Sequence, residues 1–304
     1  MNAANLEYLK QIIPEENIRL EEPMSRHTTF RTGGNAEVFL QIDTQEQLGT
    51  VIKFLNKIEE HYFLLGNGSN LLVSDDGYEG IMLSLGSEMS CIRIAGNQIF
   101  AQAGALLSQM ARAAYEAGLT GLEFAAGIPG SVGGAAVMNA GAYGGEMKQI
   151  VTKVRVMSRE GEIMELDNES MEFGYRTSAI RNHGFIVLDI VAELSVGDRE
   201  AINATMLDLA QKRREKQPLE YPSAGSTFKR PEGHFAGKLI MDAGLRGYRV
   251  GDACVSEKHC GFVVNLGHAT SKDIWQLIKD VQEKVFLHAG IQLETEVIPL
   301  GKFQ

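Results

Sequence analysis

Leu48, Val51, Ile52 and Leu55 recur at the spacing of one helical face. Thr44 stands before them with Gln47 three residues on, a capping-box pair, so a helix is expected over 44–57. Short apolar runs at 37–42, 62–65, 71–73 and 81–85 read as strands. The stretch 91–103 is also β-like, with Gly96-Asn97 as its turn. Leu107, Met110, Ala111 and Ala114 mark the inner face of a helix over 106–117, which Gly118 stops. Residues 151–157 and 163–166 read as a hairpin, and 185–194 as a further strand. Asp198 is placed to cap a helix reaching Lys216, with Ile202, Met206, Leu209 and Arg213 at helical spacing. Beyond it the pattern predicts a helix near 237–243, a strand over 261–265 and a helix over 271–289. The inner face of that last helix is Ile274, Leu277, Ile278, Val281 and Val285. Hairpins and helices are mixed, without repeats or a long linker, which predicts an α+β fold.

The chain has 304 residues, enough for two or three modules. Glycine departs from ordinary composition, with 33 residues, which points to many tight turns or to backbone that approaches a ligand. A formal net charge of −10 argues against a face that wraps nucleic acid, while a local cluster of Lys and Arg still suits a small anion. Three cysteines, Cys91, Cys254 and Cys260, make no disulfide framework and suit a reducing compartment, so a cytoplasmic location is expected. Residues 1–20 carry Glu7, Glu15 and Glu16 with no long apolar core, and are not read as a signal peptide. No run reaches the ~18 apolar residues of a membrane span, so no membrane insertion is expected.

Two glycine-rich segments carry the chemistry. Gly66-Asn67-Gly68-Ser69-Asn70 follows a strand, but Leu71 stands where a dinucleotide fingerprint needs its third glycine, and strand rather than helix follows. No G-x-x-x-x-G-K-[ST] run exists either. The second segment spans 127–145 and is almost without charged side chains. Backbone N–H groups of such segments can form a nest for a diphosphate. A close-packed core loop explains either segment alone, whereas two in one module favour a dinucleotide.

The runs Leu-Gly-Asn-Gly-Ser-Asn-Leu-Leu, Gly-Ile-Pro-Gly-Ser-Val-Gly-Gly and Met-Asn-Ala-Gly-Ala-Tyr-Gly-Gly resemble the flavin segments of UDP-N-acetylenolpyruvoylglucosamine reductases. The resemblance extends from about residue 29 to about residue 300. It implies a flavin domain of the p-cresol methylhydroxylase/vanillyl-alcohol oxidase type over 31–196, in two subdomains of about 31–85 and 86–196. A C-terminal α+β substrate domain would follow over 198–297, with a tail at 298–304 returning to the N-terminal subdomain. The cofactor implied is non-covalent FAD, with NADPH as reductant and a UDP-sugar as substrate. The cofactor-binding residues implied are Arg31, Gly66, Asn67, Gly68, Ser69, Asn70, Ile128, Pro129, Gly130, Ser131, Gly133, Gly134, Asn139, Gly141 and Ala142. The compact C-terminal module resembles the branch that lacks an extra Tyr-bearing loop over the substrate.

Three distant polar segments contain Tyr175-Arg176-Thr177-Ser178, Gly225-Ser226-Thr227-Phe228-Lys229-Arg230 and Leu293-Glu294-Thr295-Glu296. Singly, each has an ordinary packing or surface explanation. Together they resemble the family's three catalytic motifs in order, which implies Arg176, Ser226 and Glu296 as catalytic residues. Arg176 and Glu296 would stabilise charge on the substrate carboxylate, and Ser226 would protonate carbon. Tyr175, Lys229, Arg246 and His259 are the substrate-binding candidates, with Arg230 and Lys212 to Arg214 as weaker cationic ones. Cys254, His259 and Cys260 lack zinc-site spacing, so no metal is expected. No Gly-x-Ser-x-Gly elbow marks a hydrolase. Two other readings compete: a flavin oxidase of the same fold, and a non-catalytic nucleotide-sugar binding protein.

Overall fold

The capping pair at the first helix forms as expected. In the computed structural model, which describes residues 1–303, Gln47 N–H donates to Thr44 Oγ1 at 3.1 Å and Thr44 N–H to Gln47 Oε1 at 3.2 Å. Two of the four N–H groups that a helix start leaves unpaired are handled there, and the helix runs Gln45–Lys57. Leu48, Val51, Ile52 and Leu55 are buried on its inner face. They pack with Val38, Leu40, Ile42, Ile81 and Leu83 from the strands Asn35–Ile42 and Tyr78–Leu85. Tyr62–Leu65 lies parallel to Tyr78–Leu85, with Leu65 opposite Ser84.

By contacts the chain divides into two units. The first takes Met1–Leu20, Val38–Asn67 and Gly80–Gln211. Its main sheet is antiparallel throughout, in the order Ile163–Asp167, Val151–Met157, Ile186–Glu193, Gln98–Gln102, Ile92–Ala95. The helix Leu107–Glu116 covers it with Leu107, Met110, Ala111 and Ala114, and Gly118 leaves that helix at φ +70°. The glycine-rich segment contains a short helix that hydrophobic periodicity did not indicate, Val132–Val137, capped by Ser131. Ala3–Lys10 is a second helix that the pattern left unmarked.

The second unit takes Glu21–Glu37, Gly68–Glu79 and the described residues from Lys212 onward. Its antiparallel sheet runs Ser223–Ser226, Phe262–Asn265, Ala253–Val255, Arg249–Val250, backed by the helices Ala236–Asp242 and Ser271–Ala289. The expected flavin domain over 31–196, with subdomains of about 31–85 and 86–196, keeps residues 31–37 and 68–79 with their sequence neighbours, whereas the division by contacts groups 21–37 and 68–79 with the C-terminal part. Long-range bonds hold them in the second unit. Leu71–Val73 pairs in parallel with Ile298–Leu300, and Phe30 and Leu72 enter the core around Ile278 and Val281. Asn265 Nδ2 donates to Phe30 O at 3.0 Å. Asp75 accepts the N–H groups of Ser271 and Lys272, each at 2.8 Å, and so caps the last helix from a remote loop.

Asp198 accepts from Ala201 N–H at 2.8 Å and starts the helix Arg199–Lys216 as expected. Of its four expected inner residues Ile202 and Arg213 are buried, while Met206 and Leu209 are half-buried.

Candidate active site

The two glycine-rich turns, some sixty residues apart in sequence, meet within the first unit. Asn67 Nδ2 donates to Pro129 O at 2.7 Å, and a Cβ added to Gly66 would stand 2.7 Å from Ser131 Oγ. Among the described residues, the N–H groups of Gly66, Asn67, Gly130 and Ser131 donate to no protein acceptor. Backbone donors left unpaired on two touching turns suit an anionic ligand such as the diphosphate of a dinucleotide, so the residues present fit FAD.

Not every glycine of this segment offers a free N–H. Val132 N–H donates to Ala105 O at 2.8 Å, Gly133 N–H to Ala103 O at 2.9 Å, and Gly134 N–H to Ser131 Oγ at 3.2 Å. The first turn of the helix is therefore paired within the protein. Gly133 has a packing reason, since a Cβ there would lie 2.9 Å from Ala103 Cβ. Gly141 and Ala142 pair with Glu146 and Gly145, and a Cβ on Gly141 would meet Gly145 O at 2.7 Å.

In the second unit, Gly68 adopts φ +58°, where an added Cβ would fall 1.9 Å from His27 O. Asn70 carries two bonds: its Nδ2 donates to Glu296 O at 3.0 Å, and its carbonyl accepts from Ile298 N–H at 3.0 Å. Ser69 lies between them, half-buried. Arg31 is exposed at φ +57°, beside Thr32, whose buried Oγ1 has no partner among the described residues.

Arg176 sits at the tip of a tight turn in the first unit. Gly174 and Thr177 bond each other, N–H to carbonyl, at 3.1 and 3.4 Å. Tyr175 is exposed, the Arg176 guanidinium carbon lies 5.2 Å from its ring centroid, and Arg176 holds φ +58°. A non-glycine residue in the left-handed region is uncommon, and such residues concentrate at functional sites. The turn is fastened to the glycine-rich segment. Asn139 Nδ2 donates to Gly174 O at 3.1 Å, and Ser178 Oγ to Val137 O at 2.9 Å.

Ser226 and Glu296 come together in the second unit. Thr227 O accepts from Glu296 N–H at 2.8 Å, Phe228 bridges Thr295, and Lys229 N–H donates to Glu294 O at 2.9 Å. These backbone bonds flank one antiparallel bridge and place the two residues on neighbouring chain segments. Gly225, at φ +75°, supplies the bulge that turns Ser226 out of register with Ser223, while Ser226 pairs with Phe262. Thr227 is fully buried and anchors the junction: its N–H donates to Gly261 O at 2.9 Å, and its Oγ1 accepts from Val263 N–H at 3.0 Å. Sequence reasoning passed over Thr227, because its signal is only a Thr beside a motif serine.

Of the substrate candidates, Lys229 pairs with Glu294 at 2.9 Å. Arg246 is exposed and donates to Glu257 O at 2.9 Å. His259 accepts the Gly261 N–H on Nδ1 at 3.1 Å, which puts its proton on Nε2, and burial holds its pKa below the ordinary value. Burial also pushes the Cys254 and Cys260 thiols up, so neither favours the thiolate.

The model of an FAD binding domain matches residues 36–167, and the model of the UDP-N-acetylenolpyruvoylglucosamine reductase C-terminal domain matches 217–300. A UDP-N-acetylenolpyruvoylglucosamine reductase of Clostridioides difficile (strain 630) is 49% identical, over 97% of this chain and 97% of its own length. The chain belongs to the UDP-N-acetylenolpyruvoylglucosamine reductase family.

Another member of this reductase family, from Agathobacter rectalis, is 47% identical over the whole of both chains. The crystal structure of the Thermus caldophilus reductase superimposes with a TM-score of 0.81 at 37% identity, covering 93% of this chain and 98% of that one. A glucose dehydrogenase, Phl p 4.0202, aligns at 14% identity with a TM-score of 0.51 over 95% of this chain and 63% of its own, which is a likeness of fold alone. The fold is thus a flavin domain of the p-cresol methylhydroxylase/vanillyl-alcohol oxidase type joined to the reductase C-terminal domain. Among the described residues no helix is long and apolar enough to cross a membrane.

Proposed function

We propose that Arg176, Ser226 and Glu296 are the catalytic residues of this reductase. The chain reduces UDP-N-acetylglucosamine enolpyruvate to UDP-N-acetylmuramate with NADPH through FAD, in peptidoglycan precursor synthesis. The observation that carries the assignment is the set of backbone bonds through Thr227, which brings Ser226 and Glu296 from seventy residues apart onto adjacent chain segments.

The free N–H groups of Gly66, Asn67, Gly130 and Ser131 hold the cofactor diphosphate. Gly68, Ser69 and Asn70 continue the first glycine-rich run, and Ile128 and Pro129 precede Gly130 in the second. The chemistry that bound FAD would supply is two-electron transfer from NADPH to the enolpyruvyl double bond. The residues handle the charge and the proton. Arg176 offers a permanent, forked cation to the substrate carboxylate, where negative charge grows during reduction. Glu296, in its protonated form, donates a further hydrogen bond there. Donors of this kind are worth roughly 2.7–4 kcal/mol each to the transition state. Ser226 Oγ holds the proton for the carbon next to the carboxylate, which has become strongly basic by then. Positioned acids of this sort contribute typically ~10²–10⁴-fold.

Tyr175, Lys229, Arg246 and His259 take the rest of the substrate. Lys229 reaches a UDP phosphate by exchanging its exposed partner Glu294, a pair worth little in water. The free thiols Cys91, Cys254 and Cys260 support a cytoplasmic location.

The test is anaerobic. The purified protein is yellow, NADPH bleaches it, and the enolpyruvyl UDP-sugar restores the colour much faster than air does. Colour restored faster by air supports a flavin oxidase instead, and a colourless protein that binds the UDP-sugar supports a non-catalytic binder.

A further inference from the structure

We propose that Asn139 is a positioning residue for Arg176 and not a ligand of the cofactor. The proposal rests on the catalytic role given to Arg176 above.

Asn139 lies in the glycine-rich segment, in the run Met138-Asn139-Ala140-Gly141. It is buried, and it adopts φ +43°, which Asn tolerates better than most residues. A primary amide has two N–H donors and one carbonyl acceptor. Both donors of Asn139 are spent inside the protein: one on Gly174 O at 3.1 Å, the other on Glu146 Oε2 at 3.1 Å. Its Oδ1 accepts from Lys148 N–H at 2.9 Å. No donor remains for a ligand. One carboxamide thus ties three chain segments together, and the remote one is the turn that displays Arg176.

Gly174 O lies two residues from Arg176, on the near side of the turn. Ser178, on the far side and fully buried, is fastened to Val137 O. The turn is therefore pinned at both ends to one short stretch of the glycine-rich segment, 137–139. A left-handed Arg176 is strained, and it persists only where the surroundings hold it. Removing the Asn139 pin lets the turn relax and moves the guanidinium. A displacement of about 1 Å at a catalytic group can cost on the order of 10²-fold in rate.

Two variants test this. Asn139→Asp keeps the acceptor and loses both donors, beside Glu146. Asn139→Gly removes the side chain and relieves the positive φ, so it guards against a failure to fold. Each is made alone and together with Arg176→Ala, in the flavin-loaded enzyme. The expected result has three parts. Flavin content and the rate of bleaching by NADPH stay near wild type. Reoxidation by saturating enolpyruvyl UDP-sugar slows about tenfold to a hundredfold. The slowing disappears in the Arg176→Ala background, because the pin has nothing left to position. Hydrogen exchange at residues 174–178 should also quicken in Asn139→Gly, a readout independent of turnover.

Loss of flavin from Asn139→Gly, or a slowing that multiplies with that of Arg176→Ala, overturns the proposal. Unchanged reoxidation in both Asn139 variants overturns it too. If Arg176→Ala itself reoxidises normally, the catalytic role of Arg176 fails. Faster exchange at 174–178 in Asn139→Gly then still shows whether the pin holds the turn.

Discussion

Thr227 O accepts the backbone N–H of Glu296 at 2.8 Å. The bond fixes the backbone of the glutamate one residue from Ser226, and Asn70 Nδ2 holds the other side of Glu296 through its carbonyl at 3.0 Å. A backbone fastened on both sides leaves only side-chain torsions to place the carboxyl group. Preorganisation of this kind spares the reaction the cost of ordering its donors.

Ser226→Ala should separate the two half-reactions. NADPH oxidation needs no proton on substrate carbon, so bleaching should stay close to normal. Reoxidation by the enolpyruvyl UDP-sugar should fall by about 10²–10⁴-fold. Ser226→Cys should recover part of the loss, since a thiol is the stronger acid. Stopped-flow absorbance at the flavin band measures both rates. A block in bleaching rather than in reoxidation would remove Ser226 from the proton-donor role.

Arg176→Lys and Glu296→Gln distinguish catalysis from plain binding. A point charge cannot reproduce the guanidinium fork, so Arg176→Lys should lower turnover more than it raises KM. Glu296→Gln keeps a donor but loses the acid, and should fall between wild type and Glu296→Ala if hydrogen bonding dominates. Turnover near wild type at saturation, with only KM raised, would make both residues anchors.

Gly66→Ala should lose most of its flavin while the protein stays folded. The new methyl would stand 2.7 Å from Ser131 Oγ and wedge the two turns apart. The ratio of flavin to protein absorbance after gel filtration reads the result, and full occupancy contradicts the placement. Gly68→Val is the poorer test. Its Cβ would strike His27 O at 1.9 Å, so it damages the loop whether or not flavin binds there.

Asp75→Ala should destabilise the fold without touching the proposed chemistry. It leaves the N–H groups of Ser271 and Lys272 without their carboxylate, a loss of roughly 0.5–2 kcal/mol for a helix cap. Urea unfolding measures the shift. Stability equal to wild type would mean that the Thr270 capping box alone suffices at this helix start.

His259 gives stability a pH dependence of known sign. Burial lowers its folded pKa from the ordinary 6.5. Below about pH 6.5 the unfolded chain takes up a proton that the folded chain resists. The stability tied to neutral His259 is therefore full above that pH and is lost as pH falls from there through the lower folded pKa. His259→Asn, which can still accept the Gly261 N–H, should flatten the decline in melting temperature on the acid side. An unchanged slope would assign the decline to other groups.

The sequence by itself determined the local structure. Thr44 and Gln47 started a helix, Gly118 ended one, Asp198 capped another, and Ile274, Leu277, Ile278, Val281 and Val285 turned one face of Ser271–Ala289 inward. These outcomes depend on neighbours within four residues, where period and capping chemistry act. The family was legible for a similar reason: its glycine and polar motifs are contiguous runs. Only the tertiary structure decided what those runs touch. Nothing near Leu71 announces that it pairs with Ile298, nor near Asp75 that it caps residue 271. Nor does Asn139 reveal, among glycines, that its amide is spent on Gly174 instead of on a ligand. Sheet pairing and buried amide bonds join residues that sequence separation hides, because their partners are chosen by the packing of the whole chain.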